Sequence, residues 1–288
     1  MTSDGTTDVA SLNVKHPKEY YYTAATTLFA SRFDQRFSYC LYVPTAHDFD
    51  GDPLPLLVLQ HGTGRRGPQY RDEFASYAEA NHCVVLAPLY PAGIGDPDDL
   101  HNFKFLRYGD IRFDTVLLEI VGEVAERFNV DADRFLLHGF SGGGQFAHRF
   151  FYLHPDRLAG VSIGAPGRIT RLDYTKDWWV GLRNCAEIFG REPDVDAMRR
   201  VPVQMVVGTH DVETWEINNP GDSNWMEGAG DAGRTRIERL RTLESDFVAH
   251  GIEVRFDTVE GIAHEPMRVL EPVKQFFTQL LGNTGADH

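Results

Sequence analysis

Gly139-Phe140-Ser141-Gly142-Gly143 stands between the apolar run Phe135-Leu136-Leu137 and a helical stretch that begins near Gln145. A chain that passes directly from a buried strand into a helix must turn sharply. The turn strains the backbone, and a side chain on either flank would collide with the neighbouring strand or helix, so glycine is needed on both sides. Such a turn lifts the Ser141 oxygen clear of a sheet, and the helix behind it aims free backbone N–H groups at the same spot. Glycine and serine are common, so the motif alone is weak. Its setting makes Ser141 a candidate nucleophile rather than an ordinary serine in a glycine-rich turn.

The same alternation runs through the chain. Apolar or β-branched runs predict strands over 20–29, 37–43, 54–59, 84–89, 134–138, 158–163, 202–207 and 252–259. Apolar residues at three- and four-residue steps predict helices over 70–81, 111–128, 145–153, 234–250 and 266–281. Short strands alternating with helices imply an α/β fold, a mainly parallel sheet flanked by helices. With 288 residues, 42% hydrophobic, and no linker-like stretch, residues 18–282 read as one domain after a loosely held or disordered segment 1–17. The alternation fails over about 168–200 and 212–233, which read as insert segments.

The formal net charge is -14, which argues against nucleic acid and anionic membranes as partners, since both need a basic footprint. The three cysteines, Cys40, Cys83 and Cys185, are odd in number and widely spaced, so neither a disulfide framework nor a zinc site is expected. Cys40 and Cys83 lie in apolar runs and read as buried thiols. No leader-like or membrane-spanning stretch stands at the start, and a cytoplasmic location is the expectation.

A serine needs a base to take its proton and a third group to orient that base. In an open parallel sheet these sit just beyond the carboxyl ends of strands. Asp211 follows the strand at 202–207, and His264 follows the strand at 252–259. The competing readings make Asp211 a turn or cap residue and His264 a bystander before the last helix. Glu213 is the nearest rival acid, with Asp257 and Glu260 further off, and His210 ranks below His264.

A tetrahedral intermediate also needs N–H donors. Gly142, after the serine, is one candidate; Thr63, in the His61-Gly62-Thr63-Gly64 loop after the strand at 54–59, is the other, with Gly64 the fallback. His61 reads as a loop-fixing residue. Arg65 and Arg66 either meet a substrate carboxylate or pair with Asp72 and Glu73, and the pairing is the preferred reading. Trp178, Trp179, Trp215 and Trp225 all fall in or beside the inserts, as pocket walls or as staples; Trp179 and Trp215 are the better pocket candidates, and Tyr90 the third.

In these residues the chain resembles serine esterases of the α/β-hydrolase fold, from about Tyr20 to Leu281. The loop at 61–64, the turn at 139–143, Gly208 to Asp211 and the late His264 all match, in the order serine, acid, histidine. It is most similar to the polyhydroxybutyrate depolymerase, feruloyl esterase and acetyl xylan esterase branch. The resemblance implies cofactor-free hydrolysis of a small-molecule ester through an acyl-enzyme on Ser141, with His264 as base and Asp211 orienting it. An amidase or peptidase on the same residues, or a non-catalytic binding scaffold, is the alternative. The oligomeric state is not legible, and a homo-oligomer is compatible with the sequence.

Overall fold

The computed structural model describes residues 21–215 and 220–284. The segment 1–17 lies outside the described residues. The strands are β1 (Ala24–Ala25), β2 (Phe29–Ala30), β3 (Ser38–Val43), β4 (Leu54–Gln60), β5 (Val84–Leu89), β6 (Arg107–Tyr108), β7 (Ile111–Arg112), β8 (Val130–Phe140), β9 (Leu158–Gly164), β10 (Val203–Gly208) and β11 (Val254–Val259). The helices are α1 (Gly67–Glu73), α2 (Ala75–Asn81), α3 (Phe113–Phe128), α4 (Gly142–Leu153), α5 (Cys185–Phe189), α6 (Val195–Met198), α7 (Arg236–Ala249) and α8 (Leu270–Thr284).

A nine-stranded sheet runs in the order β1-β3-β5-β4-β8-β9-β10-β11, with β2 also on β3. The pairs from β5 to β11 are parallel, while β1, β2 and β5 meet β3 antiparallel. The central strands β4, β5, β9 and β10, and β8 from Phe135 onward, are mostly apolar and buried, as strands covered on both faces must be. Helices α1, α2 and α8 pack together, with Tyr77 bonded to Thr278 and Lys274 over Phe74. Helices α3, α4 and α7 pack together through the rings Phe113–Tyr90–Phe146 and Phe151–Phe247.

The parallel strands all end at one edge. There β4 runs into the loop at His61, β8 into Ser141, β10 into the segment reaching Asp211, and β11 into the segment reaching His264. The mainly parallel sheet expected from the alternation is therefore present, with differences at element ends. The stretch 20–29 is not one strand: Tyr21 and Tyr22 are helical, and β1 and β2 are brief contacts on β3. Ile111 does not open a helix. Gly109, at φ 58°, turns the chain so that β6 and β7 form a hairpin, and α3 starts at Phe113. The helix expected over 70–81 is two helices that meet at Phe74.

Within the insert at 168–200 lie only the short helices α5 and α6. Among the described residues, no helix is long and apolar enough to cross a membrane. Cys40, Cys83 and Cys185 are buried free thiols, pushed up to about 11, 12 and 11 respectively, mainly by burial.

Candidate active site

Ser141 sits between β8 and α4 at φ 58° and ψ -116°, a backbone conformation that costs a non-glycine residue on the order of 1–3 kcal/mol. Its surroundings enforce that conformation. The Ser141 N–H donates to Gly164 O at 2.8 Å, and Gln145 N–H donates to Ser141 O at 3.0 Å. A Cβ on Gly139 would lie 2.2 Å from Gly143 O, and one on Gly143 would lie 2.3 Å from Gln60 O. The strand, the turn and the helix are packed backbone to backbone, and a methyl group at either glycine has no room.

Asp211 is fully buried, and its Oδ2 accepts from His264 Nδ1 at 2.6 Å. The other oxygen, Oδ1, is 3.4 Å from Nη1 of Arg236, itself buried at the start of α7. The two segments that carry Asp211 and His264 are stitched together. Thr209 N–H donates to Val259 O, His210 N–H to Ile262 O, and Gly261 N–H to Thr209 Oγ1. A Cβ on Gly208 would lie 2.1 Å from Ile262 O, so this stitch requires glycine. The His264 ring packs on Phe140, the residue before the serine, at 4.8 Å between centroids. The rival groups lie elsewhere: Glu213, Glu260 and His210 are exposed, and Asp257 is engaged by Gln204 and Arg255.

The loop after β4 is held open toward the serine by His61. Its Nε2 accepts the Tyr90 N–H at 3.0 Å, so the ring proton is on Nδ1, which donates to Gly62 O at 2.8 Å. Burial drives the His61 pKa down to about 3, which keeps the ring neutral and in this tautomer. Gly62 O also accepts from Arg65 N–H. In a trans peptide the N–H points opposite the C=O, so the two donors on Gly62 O turn the Thr63 N–H the other way. That N–H has no acceptor among the described residues. Thr63 N lies 3.1 Å from where a Cβ on Gly142 would sit, so the two backbones are nearly in contact beside the serine.

Arg65 does not pair with Asp72 or Glu73, contrary to the expectation. It donates to Thr63 O, Tyr90 O, Leu100 O and Asn102 Oδ1, pinning the loop from behind, and Arg71 takes Asp72 instead. Arg66 pairs with neither acid.

A cleft of about 310 Å³ is lined by Gly62, Thr63, Gly64, Arg66, Tyr70, Phe140, Ser141, Trp215, His264 and Pro266. Trp215 is half exposed at its wall. Trp179 lies elsewhere: it is buried on Phe105, its Nε1 donating to Asn224 O, in a small apolar cluster that staples the insert down. Tyr90 also lies elsewhere. It is fully buried among Phe37, Phe103, Phe113 and Phe146, because the chain turns its ring inward just past the strand end. Arg66, for which pairing with Asp72 or Glu73 was the preferred reading, lines the cleft instead. Tyr70 and Arg236 belong to the site or its support and were not assigned such places from sequence, where nothing but their nearness to a strand-end loop or a helix start marks them.

No protein-family model matches the sequence, and no curated protein matches it. Solved structures do. A poly(aspartic acid) hydrolase from Sphingomonas sp. KT-1 is 21% identical, with a TM-score of 0.68 over 88% of this chain and 98% of that one. A poly(3-hydroxybutyrate) depolymerase from Bordetella parapertussis is 21% identical, with a TM-score of 0.66 over 86% and 84%. A ferulic acid esterase from Anaeromyces mucronatus is 15% identical, with a TM-score of 0.58 over 91% of each chain. At such identities the likeness is one of fold, and it agrees with the strand order and the turn at Ser141: the chain has the α/β-hydrolase fold.

Proposed function

We propose that this protein is a serine hydrolase that cleaves carboxylic esters of small or medium size. The observation that carries the reading is the buried Asp211 bonded at 2.6 Å to His264, in a cleft that His264 shares with the strained Ser141. With Nδ1 committed to Asp211, the free Nε2 of His264 takes the serine proton as Oγ attacks the ester carbonyl. The oxyanion that forms is met by the Thr63 and Gly142 N–H groups. His264 returns the proton to the departing alcohol. Water, deprotonated in turn by His264, attacks the acyl-serine, and the carboxylic acid leaves. Asp211 holds the imidazolium while it exists, and Trp215 offers an apolar wall to the acyl or alcohol part.

Hydrolysis of 4-nitrophenyl esters from acetate to long acyl chains tests this. Wild type is expected to turn over the shorter members, and Ser141→Ala and His264→Ala to lose on the order of 10³-fold or more in kcat. Turnover retained in Ser141→Ala removes the proposal. Amide cleavage is the second reading, favoured by the fold shared with a hydrolase whose named substrate, poly(aspartic acid), is joined by amide bonds. Turnover of matched esters and amides separates the two.

A further inference from the structure

Among the described residues that line the cleft at Ser141, Arg66 is the one side chain formally charged at neutral pH, and none is a carboxylate. This is unusual for a chain of net charge -14. It is also unusual for an arginine of this chain. Arg32, Arg36, Arg71, Arg112, Arg171 and Arg183 each hold a carboxylate, and Arg65, Arg134, Arg149 and Arg157 each hold main-chain oxygens. The Arg66 guanidinium has neither among the described residues. It lies over Gly64, with Nε 3.6 Å from where a Cβ there would sit.

Tyr70 stands one helical turn away, its N–H bonded to Arg66 O at 3.2 Å, so the two side chains rise from one rigid support. Tyr70 is only 2% exposed, yet it lines the cleft, and its hydroxyl makes no hydrogen bond to any described residue. Burial raises its pKa, which keeps it a neutral phenol and therefore a donor. A cation and an O–H donor, both unspent, thus share the cleft with the nucleophile. A carboxylate is the group that accepts from a planar guanidinium and a phenol together. Arg66 is exposed before substrate enters, so its pull is modest until a bound substrate covers it.

We infer that the substrate carries a free carboxylate, and that Arg66 with Tyr70 selects it: the preferred ester is a monoester of a dicarboxylic acid, or an ester of comparable shape with one acid group left free. This rests on the ester-cleaving reading of the same cleft. Mono-4-nitrophenyl glutarate and its methyl ester differ only in that carboxylate. Wild type is expected to favour the free acid by about tenfold in kcat/KM, chiefly through KM, and less at high salt. Because the ratio is read within each variant, a general loss of activity cancels. Arg66→Gln is expected to bring the ratio near one, Arg66→Lys to keep part of it, and Tyr70→Phe to lower it. A wild-type ratio near one, or a ratio unchanged in Arg66→Gln, overturns the inference. A failure of the ester reading looks different: neither ester turns over and a fluorophosphonate leaves Ser141 unlabelled. Calorimetric titration with glutarate then decides the anion question by itself. Binding weakened about tenfold in Arg66→Gln supports it, and equal or absent binding in wild type overturns it.

Discussion

Gly208 shows how a residue with no side chain governs the geometry of two others. It ends β10, and its Cα faces Ile262 O so closely that a methyl group would lie 2.1 Å from that oxygen. The displaced segment is the one that carries His264, while Gly208 itself leads to Asp211. Gly208→Ala is therefore expected to stretch the 2.6 Å bond between Asp211 and His264. On the proposed mechanism kcat falls by about tenfold or more while KM changes little, and Ser141 reacts more slowly with a fluorophosphonate. Unchanged kcat in a folded variant would falsify the claim that this contact sets the pair. At this scale the placing of Ser141, Asp211 and His264 beyond strand ends was legible, because the turn residues and the strand ends mark them. Arg236 was not legible, since the bond it makes to Asp211 spans 25 residues and nothing local announces it.

At the scale of elements, α4 does more than follow the serine. Every residue from Gly142 to Leu153 is buried, including the polar His148 and Arg149. Three of its side chains converge on Thr170 in the insert. Arg149 Nε donates to Thr170 Oγ1, Tyr152 Oη donates to Thr170 O, and His148 Nε2 accepts the Thr170 N–H. Arg149 also donates to Lys104 O and Arg168 O, and burial brings its pKa down to about 9. Arg149→Ala leaves these acceptors buried and unmet, with an expected loss of about 3 kcal/mol of stability. Thr170→Val strands Arg149 Nε and Trp179 O but keeps the other bonds of Arg149, and is expected to cost less, about 1–2 kcal/mol. Denaturant melts measure both, and equal effects would remove Arg149 as the anchor of the insert. The element types and their order were readable from apolar periodicity. Their ends were less so: α7 starts at Arg236 because Thr235 and Glu238 cap it mutually, two residues inside the expected range. The attachment of the insert was not readable, because its stretch lacks any period.

For the whole molecule, burial of histidine sets a pH dependence. Burial drives His61 down to about 3 and His138 to about 4, and His101, near Lys104 and Arg168, to about 4. Unfolded, each titrates near ~6.5. Between those values the unfolded chain binds more protons than the folded one, so stability rises with pH across the window. The contribution is complete above about 6.5 and is lost as pH falls toward 4. The thermal midpoint is expected to drop steadily from pH 7 to pH 4.5, and the slope to flatten in His138→Gln. A midpoint independent of pH in that range would count against these neutral buried rings.

Periodicity and turn chemistry act over a few residues, so the sequence by itself determined the alternation of strands and helices, the parallel sheet, the strained seat of Ser141 and the placing of Asp211 and His264 beyond later strand ends. Which way a side chain faces beyond a strand end, and whom it meets, depends on contacts made across the chain. Only the tertiary structure turned Tyr90 into the core, laid Trp179 under the insert, bound Arg65 to Leu100 O and Asn102, and left Arg66 in the cleft without a partner among the described residues. The physical reason is range: a local pattern fixes direction and burial of an element, while hydrogen-bond partners are chosen among groups that only the packed fold brings together.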